Sequence, residues 1–169
     1  PHCEKPVACN GLFLYTDTMP AFFDDGLHFE CNRCSRCCRI EPGFVFLSQS
    51  DLTDLCRWFN LSEDEFIKTY CRLVPQYDDE YLLCLKDTEN YDCILWKDGC
   101  TAYGARPVQC RTYPFWTGFL TDKESWEKEG AACPGINRGK LWTKDDINAS
   151  RAAYENNEPL KFKRGGKCR

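Results

Sequence analysis

The sequence predicts an α+β fold: one small single domain with a short hairpin-based sheet, several short helices, and loops organised by cysteines. Three observations carry this expectation. The 169 residues are 43% hydrophobic and 14% aromatic, which suits one core and is marginal for two. Helix-start signals and short apolar runs alternate along the chain, with no internal repeat and no long linker. Fourteen cysteines are present, and many fall where turns are expected.

The elements follow in order. Residues 1–28 carry Cys3, Cys9, the apolar "GLFLY" and the turn-like "FFDDG", and read as an N-terminal arm packed on the body. Pro42 and Gly43 break the chain, and residues 44–47 look like a short strand. Ser48 or Ser50 then caps a helix carrying Leu52, Leu55, Cys56 and Phe59. Ser62 with Glu65 three residues later is a capping box. Its helix presents Phe66, Ile67 and Tyr70 and is stopped by Pro75.

"YLLCLKD" and "YDCILW" read as two strands joined through "DTEN", a hairpin. Asp98 and Gly99 make a tight turn before Cys100. Pro107 and Pro114 leave room only for a short helix or turn between them. Thr143 with Asp146 caps a helix through "DINASRAAYEN", and "KFKRGGKCR" reads as a solvated basic tail. The expected organisation is thus an arm at 1–28, a metal-binding core at 29–136, and a helix with its tail at 137–169.

Composition removes several functions. A formal net charge of -4 leaves no basic footprint for nucleic acid. No run approaches the roughly 18 apolar residues of a membrane helix. The first residues lack the apolar stretch of a secretory signal, so a cytoplasmic location is expected. Thiols stay reduced there, and so many cysteines then point to metal or redox work rather than disulfides. Only His2 and His28 are available, which excludes multi-histidine zinc catalysis. His28 reads as an ordinary half-buried loop histidine.

The cysteines sort by context. Cys56 and Cys71 lie on expected helices and Cys84 within an expected strand, so core packing accounts for them. Cys3, Cys9 and Cys168 read as unpaired thiols near the termini. Cys31, Cys34 and Cys37 follow C-x2-C-x2-C spacing, which puts three thiolates of one loop around a cubane cluster; a C-x2-C pair also suits zinc. Cys38 breaks both patterns. Neighbouring side chains diverge, so Cys37 and Cys38 suit two sites or a multi-metal cluster, or leave one thiol for another role.

The remaining partners are expected in or beside turns: Cys93 at the start of a strand leading into the turn at Asp98 and Gly99, Cys100 ending that turn, Cys110 between two prolines, and Cys133 before Pro134 and Gly135. These eight thiols form the candidate metal set, and their softness selects iron–sulfur, zinc or Cu(I). Arg33, Arg36, Arg39, Lys97, Arg106 and Arg111 are placed to offset thiolate charge. Trp96, Tyr113, Phe115 and Trp116 are placed to shield the centre from water.

"CNRCSRCC", followed by "CILWKDGCTAYGARPVQCRTYPFW" and "CPG", resembles the YkgJ-like CxxCxxCC cysteine-cluster family over roughly residues 29–136. The resemblance implies a zinc- or iron-chelating or iron–sulfur protein whose metal set is Cys31, Cys34, Cys37, Cys38, Cys93, Cys100, Cys110 and Cys133. A related group, the flagellin lysine methylases, carries a similar cluster.

The first expectation is an iron–sulfur protein, 4Fe–4S with one centre or two, acting in electron transfer or as a redox accessory with a protein partner. The alternatives are a zinc-binding structural module and a cluster-dependent protein-modifying enzyme.

Overall fold

A computed structural model describes residues 20–39 and 43–163. Cys3, Cys9, Cys168, "GLFLY" and Pro42 lie outside them. The fold is α+β, with two small antiparallel sheets. Strand β1 (Leu27–Phe29) pairs with β4 (Ile136–Trp142). Strands β2 (Cys71–Pro75), β3 (Glu80–Leu85) and β5 (Lys161–Lys163) form the other sheet in the order β2-β3-β5.

Helices begin where local chemistry sets them. In α1 (Gln49–Phe59) Ser48 and Asp51 form a capping box, and in α2 (Glu63–Tyr70) Ser62 and Glu65 do the same. Left-handed Asn60, at φ 54°, ends α1. Thr143 and Asp146 cap α5 (Lys144–Glu155) in the same way. Between them lie α3 (Val108–Thr112) and α4 (Lys123–Ala132), the latter capped by Asp122. Among the described residues no helix is long and apolar enough to cross a membrane.

Several local expectations shift. The helix after Ser62 ends at Tyr70, well before Pro75, and the residues between become β2. Cys71 therefore opens a strand and is not helical. The hairpin exists, but its strands are β2 and β3, turned through left-handed Asp78 and Asp79. "YDCILW" is not a strand: it folds into turns, with isolated bridges Asp87↔Cys93 to the segment after β3 and Trp96↔Cys100 across its own following turn. The reason is that its amides are engaged elsewhere, Cys93 N–H donating to the Cys38 carbonyl and Trp96 N–H to that of Cys93.

Residues 44–47 run beside β3 with a single bridge, Phe46↔Cys84. The start of the basic tail is an edge strand, β5. His28 sits in β1, exposed, with Nδ1 2.8 Å from the Gly139 carbonyl. Strands β1 and β4 straddle the divisions expected at 28/29 and 136/137.

The apolar interior is in two parts. One gathers Leu47, Leu52, Leu55, Phe66, Leu83 and Leu95 between α1, α2 and the three-stranded sheet. The other gathers Phe23, Phe29, Phe115, Trp126, Ile136 and Ile147 around β1, β4, α4 and α5. Buried Asp51 ties them: its carboxylate accepts the Val108 N–H at the start of α3 and the Asn157 side-chain amide, both at 2.8 Å. A buried carboxylate with four donors is satisfied rather than stranded.

Candidate metal centre

The first thiols come from a chain that turns sharply. Asn32 accepts the Cys34 N–H through its side chain, and Arg33 and Ser35 adopt left-handed φ of 57° and 62°. A single tight turn, Arg36–Cys38, follows. Within it Cys37 Sγ and Cys38 Sγ lie 3.8 Å apart. The neighbouring pair therefore does not diverge; the tight turn brings both sulfurs to one side.

Three further thiols are delivered by the segments after β3. The Cys93 N–H donates to the Cys38 carbonyl at 2.8 Å, which stitches the two thiol segments together. Cys100 ends the turn at Asp98 and Gly99, where the Lys97 N–H reaches the Gly99 carbonyl at 2.8 Å. Cys110 lies on α3, whose position Asp51 fixes from one side. Gln109 fixes it from the other, donating to the Phe44 carbonyl and accepting the Phe46 N–H.

Electrostatics identify which thiols are neighbours. Cys37, Cys93, Cys100 and Cys110 sense one another's charge, and Arg106 acts on Cys37, Cys100 and Cys110. Burial pushes the Cys93 thiol up to about 11 and raises Cys100 and Cys110 as well. Cys37 is raised chiefly by its hydrogen bond to Cys38, then by burial. All four thiols are held up, Cys37, Cys100 and Cys110 even with Arg106 acting on them, so metal uptake releases protons.

Of the six expected basic residues, Arg106 is the one that reaches this inner set. Its Nε donates to the Tyr103 carbonyl at 3.0 Å and its guanidinium stacks 3.7 Å from the Tyr103 ring centroid. Arg33 stacks on the same ring at 4.3 Å, tying the first thiol loop to the third. Arg39 pairs with Asp92 and lies 3.9 Å over Trp96.

The other candidates stand further out. Cys31 and Cys34 are exposed on the loop. Cys133 closes α4, and both it and Tyr113 pack against the second core. Tyr113 donates to the Glu129 carboxylate, and burial followed by that bond raises its hydroxyl pKa. Cys56, Cys71 and Cys84 are buried in or beside the first core, as expected of core thiols.

A cavity of about 400 Å³ adjoins the inner set, with Cys37 and Cys110 on its wall beside Tyr113 and Trp116. Trp116 thus screens the thiols as expected, but Phe115 does not: it stacks on Trp126 inside the second core at 5.9 Å. Sequence reasoning missed Glu129 and the Tyr113 pairing, because a contact between residues on separate elements has no local signature.

The donor set fits a thiophilic metal. Cys37 is exposed and Cys93, Cys100 and Cys110 are half-buried; neighbouring thiols resist ionising together, yet each must be a thiolate to ligate, and a cation resolves that conflict. Among the described residues no three donor side chains are gathered closely enough to clasp a lone ion, so binding requires side-chain rotation.

A small α+β domain whose turns bring soft thiols beside half-buried Arg106 has the donor chemistry of a metal-chelating protein. Residues 30–134 match the CxxCxxCC family, described as a "putative zinc- or iron-chelating domain". That is more than half of the chain, and the protein belongs to this family. No solved structure matches the chain.

Proposed function

We propose that the inner thiols hold an iron–sulfur cluster of the 4Fe–4S type and that the protein works in electron transfer or as a redox accessory to another protein. The observation that supports this is that separate thiol-bearing segments meet: the Cys93 N–H donates to the Cys38 carbonyl at 2.8 Å, and Cys37 and Cys110 share one cavity wall. Four thiolates are the complement of one cubane, which supplies one-electron chemistry when bound.

The chain's own residues set the conditions. Arg106 offsets part of the thiolate charge. The Trp96 indole N–H is buried three residues after Cys93 and has no acceptor among the described residues. A sulfur-rich cluster offers acceptors there, and N–H donation to sulfur raises a reduction potential. Cys38 stands at the edge of the set as a spare or exchangeable ligand, and Cys31, Cys34 and Cys133 complete the eight-thiol set on its outer side.

One observation favours zinc instead. Two thiolates on a tetrahedral zinc stand about 3.8 Å apart, given Zn–S bonds of about 2.3 Å, and the Cys37 and Cys38 sulfurs are 3.8 Å apart.

Purification without oxygen, a visible spectrum, and assays for iron, sulfide and zinc separate the readings. A broad visible band with matched iron and sulfide is expected. Stoichiometric zinc in a colourless protein sinks the cluster reading and leaves the thiol site intact.

A further inference from the structure

We infer that the cavity beside the thiols binds a free α-amino acid with a large apolar side chain. At about 400 Å³ it is of small-molecule size, and its floor is aromatic. Tyr113 meets Trp116 edge-on at 5.3 Å, and Trp116 stacks on Phe119 at 5.5 Å with the rings 20° apart. Phe44, 49% exposed, stands at the rim.

The charged groups of the cavity are Arg36, Arg39 and Glu129, and two of them meet at the end of α4. Arg36 Nη1 donates to the Ala132 carbonyl at 3.2 Å, which seats the guanidinium over the last turn of α4. Glu129 lies one turn back on the same helix, and exposed Arg36 and half-buried Glu129 line the same cavity. Glu129 Oε1 accepts from Tyr113, and Oε2 has no hydrogen-bond donor among the described residues. Neither Arg36 nor Glu129 has an oppositely charged side chain at salt-bridge distance among the described residues. Arg39, on the same wall, is already engaged by Asp92 and Trp96.

One spare cation and one spare anion over an aromatic floor define the ligand by charge. A carboxylate satisfies Arg36, for which a guanidinium is geometrically suited. An ammonium satisfies Glu129. A simple anion leaves Glu129 unmatched, an alkylamine leaves Arg36 unmatched, and a neutral apolar molecule leaves both. The zwitterion of an α-amino acid matches both, with its side chain laid on Trp116 and Phe119. Cys37 and Cys110 share the cavity wall, so the bound molecule lies against the thiol set. The inference is independent of which metal the thiols hold.

The test is calorimetric titration of the full-length protein, metal retained as purified, with four probes: L-phenylalanine, L-phenylalaninamide, 3-phenylpropionate and 2-phenylethylamine. L-Phenylalanine is expected to bind at least roughly tenfold more tightly than each analogue, the loss that follows from removing one charge-assisted hydrogen bond. In Glu129→Gln the advantage over 3-phenylpropionate is expected to vanish; in Arg36→Gln the advantage over the amide vanishes. Equal binding of all four probes overturns the inference in favour of a merely apolar cavity. A truncated analogue binding as well as the zwitterion overturns it, and so does no binding by any probe. The probe series on the unaltered protein decides the matter even if a variant folds poorly.

Discussion

Cys110 and Cys84 are both internal thiols on regular elements, yet they face different neighbours. Cys110 stands among Cys37, Cys93 and Cys100; Cys84 is fully buried in β3, its thiol donating to the Leu85 carbonyl at 3.3 Å. Replacing Cys110 by Ser is therefore expected to cut bound metal by more than half. Cys84→Ala is expected to leave metal content unchanged and to lower stability by about 1–2 kcal/mol, the cost of a small buried cavity. Metal analysis with denaturant titration reads both, and equal metal loss in the two variants refutes the division into ligand and core thiols. The spacing of Cys31, Cys34 and Cys37 and the turns at Cys100 and Cys133 were legible because turn residues are local, whereas the turn at Cys93 was not, since "YDCILW" has strand-like composition. The closeness of Cys37 and Cys38 was not, since it depends on the backbone angles at Ser35, which the residue names do not specify.

Elements with a cap written into them were the legible part of the fold. Ser48, Ser62 and Thr143 each open a helix, because each carries its partner acid three residues on. The caps also leave a titration signature. The Ser62 hydroxyl and amide hold the Glu65 carboxyl below its ordinary range, those of Thr143 do the same for Asp146, and the Ser125 amide does so for Asp122. A carboxylate whose folded pKa is depressed stabilises the fold above its unfolded value, and that contribution is lost as pH falls through the folded one. The caps should thus weaken only below the ordinary carboxylate range, near pH 4. Side-chain carboxyl NMR titration is expected to place all three below that range and to return Asp146 toward it in Thr143→Ala; an unmoved Asp146 refutes the cap as the cause. Strand partners were less legible. "YDCILW" has strand-like composition, but its amides serve the thiol segments. The pairing of β1 with β4 joins Leu27 to Trp142 across most of the chain, where no local pattern announces it.

At the scale of the whole molecule the thiols lie between two cores. Cys93 and Cys100 pack against the first, Cys133 and Tyr113 against the second, and Cys110 sits on α3, which Asp51 ties to both sides. A metal centre drawing on these thiols would cross-link the two cores, much as a clip closes a long loop. Without metal, α3 and the Asp51 hydrogen bonds still join the two sides. A metal held at roughly a thousand times its dissociation constant stabilises by about 4 kcal/mol. A chain of this size melts about 2–4 °C lower per kcal/mol lost, so anaerobic chelation is expected to lower the midpoint by about 10 °C. It should also broaden the transition or split it in two, because each core keeps its own apolar packing while the link between them weakens. Calorimetry of the metal-bound and chelated protein reads both effects. A chelated protein that melts in one equally sharp step at an unchanged temperature would show that the centre sits on a fold already joined, and that the thiols contribute chemistry without contributing architecture.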